Sequence, residues 1–73
     1  MEKLDLHNIS HLNAEGLIEE FIINHYEKFP IEIITGNSLD MQDLLKTIVK
    51  NHNLRITPSH AKNLGSYIIN DSL

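Results

Sequence analysis

The sequence predicts a single two-layer α/β domain of order βαβαββ, a mixed four-stranded sheet with two helices on one face, and three observations lead to it. The chain has 73 residues, enough for one domain spanning 1–73 and a core that helices and sheet must share. Short stretches with period-2 alternation take turns with longer stretches at helical spacing, the pattern of strand–helix–strand units with right-handed parallel crossovers. Each helical stretch carries a single apolar stripe, so both helices are expected on one face of the sheet, leaving the other face open.

The first strand is expected at Lys3–His7, where Leu4 and Leu6 alternate with Asp5 and His7. After the loop Asn8–Leu12, Asn13 is expected to cap the first helix, with Glu15 in its first turn. Ala14, Leu17, Ile18, Phe21, Ile22 and His25 follow at helical spacing. Gly16 weakens this helix, which is expected to reach about Lys28, where Pro30 forbids continuation. Ile31–Thr35 is β-branched and reads as the second strand. Gly36-Asn37-Ser38 is turn chemistry, and Ser38 can cap a second helix with the stripe Met41, Leu44, Leu45, Ile48, Val49 and His52. Asp40 and Asp43 lie early in it and Lys46 and Lys50 late, as the helix dipole favours, and Asn53 suits the position just past its end. Leu54–Thr57 and Ser66–Asn70 are the expected third and fourth strands, separated by a loop holding Pro58 and Gly65. The apolar faces assign Leu4, Leu6, Leu17, Phe21, Ile31, Ile33, Leu44, Leu45 and Ile48 to one core. The open face is expected to carry Asp5, His7, Glu32, Arg55 and Thr57, with Ile34 as its apolar exception.

Composition narrows the function classes. An apolar fraction of 41% with 22% charged residues describes a folded chain. With no cysteine, neither disulfides nor thiolate metal ligands stabilise it; packing or homo-oligomerisation must, which points to a reducing cytosol. The opening MEKLDLHNIS has no basic segment followed by an apolar one, and no apolar run approaches the roughly 18 residues that span a bilayer, so a cytoplasmic protein without membrane contact is expected. The net charge is −4 and the six basic residues are scattered, which opposes strong general affinity for phosphate backbones. Any nucleic-acid role must use a local site. The five histidines show no ligand spacing within one helix, so no metal site is expected. His25 and His52 continue apolar stripes and read as helix-end packing residues, while His11 and His60 fall in loops.

Two segments can carry chemistry. Asp5 and His7, two apart on one strand, point the same way, so a carboxylate and an imidazole can jointly handle a proton. The crevice at the carboxyl ends of parallel strands is the usual binding place in open α/β sheets, and the turn from Thr35 to Ser38 reaches the same edge as His7. Gly36 lets a backbone approach closely, and the amides opening the second helix favour a phosphate. The same residues also make sense as the solvated side of a half-buried strand and as a plain turn with its cap.

Leu4-Asp5-Leu6-His7 resembles the LDLH signature that opens Smr (small MutS-related) domains, here followed by Asn8-Ile9 where Gly-Leu is usual. Ile33-Ile34-Thr35-Gly36-Asn37-Ser38 resembles the second signature of that family, a strand ending in His or Thr followed by Gly-x-Gly. Ser38 stands in place of the last glycine, and Thr35 where many members have His. The resemblance covers about residues 3–70 and implies a mixed sheet like that of the C-terminal domain of a bacterial translation initiation factor. It implies DNA or RNA as the partner and nicking or RNA-cleaving endonuclease activity, with Asp5 and His7 catalytic. Thr35, Gly36, Asn37 and Ser38 would contact the nucleic-acid backbone, and Arg55 on the open face would add a basic contact. The motif requires no cofactor, though stimulation by a divalent cation is compatible with it. The acidic charge, the short length and the loss of the second glycine favour the alternative, a non-catalytic module that binds RNA, DNA or a protein through this edge without cutting. A small homo-oligomeric adaptor is a third expectation.

Overall fold

Local chemistry sets where each element begins and ends. In the computed structural model, which describes residues 1–72, β1 (Lys3–Asp5) stops two residues sooner than its alternation suggests. The Asp5 carboxylate takes the backbone N–H of His7, pulling the chain into a turn in place of further pairing. Leu6 still donates its N–H to the Ile34 carbonyl at 2.7 Å, so the apolar side of the strand is carried into the core.

The first helix, α1 (His11–Asn24), is capped by Ser10 and not by Asn13. The Ser10 hydroxyl accepts the Asn13 N–H at 3.3 Å, and this moves the start three residues earlier than expected. The helix also ends before Lys28: His25 turns its N–H to the Ile22 carbonyl and its ring Nδ1–H to the Phe21 carbonyl, and its ring stacks on Phe21. Gly16 sits exposed within α1, costing about 1 kcal/mol relative to alanine. No atom lies within 4 Å of where its Cβ would be, so no packing contact demands a glycine there.

β2 (Ile31–Ile34) follows a cis Phe29-Pro30 peptide and leads through Gly36 to α2 (Leu39–Asn51). Ser38 caps α2 as expected, accepting the Met41 N–H at 3.2 Å. The exit is a Schellman turn: Asn53 has a left-handed φ of 58° and donates to the Lys50 carbonyl, while Leu54 donates to that of Val49. β3 (Arg55–His60) and β4 (Asn63–Asn70) form a hairpin, so the expected loop from Pro58 to Gly65 is largely strand. Pro58 is tolerated because β3 lies at an edge, where its missing N–H deprives no neighbour, and a bulge follows between Pro58 and His60.

The strand order is β1-β2-β4-β3, with β1 and β2 parallel and β4 antiparallel to both its neighbours. Both helices pack on one face of this mixed sheet, as the single stripes required. Ala14, Ile18 and Ile22 of α1 and Met41, Leu45, Ile48 and Val49 of α2 close on Leu6, Ile31, Ile33, Tyr67 and Ile69. Of the expected core, Leu4, Phe21 and Leu44 lie at its border. Leu17 does not join it. The buried stripe of α1 runs through residues four apart, which leaves Leu17 to one side and 39% exposed.

Candidate functional site

The edge at which β1 and β2 finish brings both sequence motifs together. Asp5 lies beside Ile34 in the parallel register, so the chain leaves the two strands side by side. The Gly65 carbonyl accepts the N–H groups of Thr35 at 2.8 Å and Gly36 at 3.0 Å, fixing the turn after β2 against β4. Gly36 has a φ of +70°, and a Cβ placed on it would meet the His7 Cβ at 3.3 Å. The glycine is therefore needed twice: for its left-handed backbone and for the close approach of His7.

Asp5 holds His7 in place through one carboxylate oxygen, which accepts the backbone N–H at 3.0 Å and the ring Nδ1–H at 2.7 Å. The ring bond, then the backbone bond, keep the Asp5 carboxyl below its ordinary pKa of 3.8. With Nδ1 carrying the shared proton, the lone pair of the neutral ring is on Nε2. The His7 and Asp5 side chains are 59% and 48% exposed, so an incoming group can reach them. Such a pair can take a proton from a nucleophile and return it to a leaving group.

The other expected contact residues are distributed differently. Asn37 is exposed beside Gly36 at this edge. Thr35 is buried, 2% exposed, and its hydroxyl donates to the Gly36 carbonyl, so its side chain shapes the turn and offers no surface. The Gly36 amide, expected to face a phosphate, is already bonded to Gly65. An anion here would meet the amides of Asn37 and of the start of α2. The Ser38 hydroxyl is committed to capping. Arg55 pairs with Asn70, beyond the Ile31–Ile69 rung, at the opposite end of the sheet from Gly36, so it does not join His7. Among the described residues no three His, Asp or Glu side chains gather to hold a metal ion.

No family model, curated protein or solved structure matches the chain.

Two polar clusters were not visible in the sequence. On the open face, Glu32 accepts a hydrogen bond from the Ser66 hydroxyl, and the single Ser59 proton is shared between the Ser66 oxygen at 2.8 Å and Glu32 at 3.2 Å, with the Lys3 ammonium 3.8 Å away. The Ser66 bond is the largest cause of a carboxyl held below its ordinary value of 4.5. Alternation alone placed Glu32 on this face; its partner Ser59 fell in the expected loop. On the helical side, the His52 ring donates through Nε2 to Glu19 and accepts the Tyr26 hydroxyl at Nδ1, tying the end of α2 to α1. The expected packing role of His52 thus includes a polar bridge that helical spacing could not reveal.

Proposed function

We propose that the chain binds a nucleic-acid strand at the edge where β1 and β2 end and cleaves its backbone as a small DNA or RNA nicking endonuclease of the Smr kind. The observation that carries this reading is that His7, its ring held by Asp5, has its Cβ beside Gly36, so that the two segments resembling the family signatures meet in space. His7 Nε2 takes the proton of the attacking oxygen, a water or a ribose 2′-hydroxyl, as that oxygen bonds to phosphorus. The P–O bond to the leaving strand breaks, and the imidazolium returns the proton to the departing oxygen. Asp5 orients the ring and offsets its charge in between. Amides of Asn37 and of the first turn of α2 face the phosphate, and no cofactor is required by these steps.

A second reading, a binding module without cleavage, is favoured by the bonding of the Gly36 amide to Gly65 and by the capping role of Ser38, both of which reduce the donors open to a phosphate. Incubation with supercoiled plasmid and with labelled single-stranded RNA, each with and without a chelator, separates the two. For the nuclease, Asp5→Asn and His7→Ala are expected to keep the parent's circular dichroism and to lose cleavage by about a hundredfold or more while binding persists. Cleavage unchanged in both variants would remove the pair from the mechanism. A parent that binds and never cuts would favour the second reading.

A further inference from the structure

Immediately after His7 the surface opens into a groove of about 690 Å³, lined by Asn8, Ile9, Ser10, Asn13, Gly16 and Leu17. It is a wide depression, largely open to solvent. Its lining combines two aliphatic side chains, Ile9 and Leu17, with the carboxamides of Asn8 and Asn13 and a serine. No charged residue contributes, so it suits a neutral group with flat apolar faces and polar edges. Asn8 leaves His7 with a left-handed φ of 70°, and this turn aims the following loop along the groove.

Gly16 is the second, independent observation. It stands exposed in the middle of a helix where glycine is unfavourable, and nothing lies near the position its Cβ would take. Neither turn geometry nor packing accounts for it. Its missing side chain does keep the floor of the groove open, and Leu17, which helical spacing assigned to the core, stands exposed as one wall.

We infer that this groove is a nucleobase subsite, in which a base adjoining the phosphate held at His7 lies over Gly16 between Ile9 and Leu17, with its polar edge toward Asn8 and Asn13. The inference rests on the proposed nucleic-acid reading and specifies its substrate: a strand whose bases are unpaired, since a base stacked in a duplex cannot enter. It also supplies a source of affinity that the net charge of −4 does not.

The test fills the groove without disturbing the fold. Gly16→Leu places a side chain in open space and improves helix propensity, so its melting temperature is expected to equal or exceed that of the parent; Gly16→Ala serves as the smaller step. Binding is measured with short single-stranded oligodeoxyribonucleotides and oligoribonucleotides carrying 2-aminopurine, with the same strands made abasic at one position, and with the matching duplexes. The parent is expected to bind the intact strand about tenfold more tightly than the abasic strand or the duplex. Gly16→Leu is expected to lose about that factor and to make no distinction between intact and abasic strands. Comparison of the ribose and deoxyribose strands shows which sugar the subsite accepts. Equal binding of intact and abasic strands by the parent, or an unchanged intact-strand affinity in Gly16→Leu, overturns the subsite while leaving the phosphate site standing. A parent that binds no strand at low salt overturns both.

Discussion

Asp5, Gly36 and Glu32 each owe their behaviour to a few named neighbours, and each can be tested alone. Gly36→Ala would force a side chain into a φ of +70° and bring its Cβ within 3.3 Å of the His7 Cβ. We expect a loss of about 1–2 kcal/mol in urea denaturation from the backbone alone, and, under the proposed nuclease reading, weaker cleavage as His7 is displaced. Glu32 gives a pH prediction. Its pKa in the folded chain lies below the ordinary 4.5, so the fold favours the carboxylate. The resulting stability is complete above pH 4.5 and is lost as pH falls through the lowered folded value. Glu32→Gln keeps the shape and removes the charge on the hydrogen bonds from Ser66 and Ser59, and is expected to cost about 1–2 kcal/mol at neutral pH. The gap between the two proteins should narrow as pH falls below 4.5. A gap that persists there would place the effect in packing and not in ionisation. Asp5 titrates in the same direction, but its exposure makes it chiefly an orienting group for His7.

At the scale of elements, the two helices show how a cap decides a boundary. Ser10→Ala is expected to cost about 1 kcal/mol and to fray the first turn of α1, whereas Asn13→Ala, already inside the helix, should change stability by less than about 0.5 kcal/mol. Thermal melts of both variants check this, and the reverse order would put the start of the helix back at Asn13. Ser10 and Asn13 are both good caps by residue type, and only the surrounding chain chooses between them. The element order and helix α2, with Ser38 before and Asn53 after, were legible because propensity, periodicity and caps all point the same way there. The β3–β4 hairpin was hidden: Pro58 and Gly65 carry turn chemistry, yet pairing across β4 and an edge position overrode it. The geometry of the candidate site was half legible. Alternation and turn residues assigned Asp5, His7, Gly36 and Asn37 to one edge, where the fold places them. The burial of Thr35 and the distance of Arg55 depend on the strand order β1-β2-β4-β3, which no local pattern encodes.

For the whole molecule, few charges face an incoming strand with favourable sign. Arg55 lies at the far end, Lys3 is beside Glu32, and Asp5 and Asp40 stand at the site edge itself or in the first turn of α2. The nucleic-acid binding proposed for this edge should therefore be weak and fall only gently with salt, with a slope of log affinity on log salt of about −1 to −2, as for roughly two neutralised phosphates. Filter binding across a salt series measures it; a steep slope would require a basic surface that the fold does not form. The two borders of the sheet also differ. β3 presents Pro58 and a bulge, which deny a newcomer a regular row of donors, while β1 is guarded by its length of three residues and by Lys3 at its start. Strand addition needs a run of unpaired donors and acceptors on each body that joins, and neither border offers one. Even a concentrated solution is therefore not expected to grow fibres by this route.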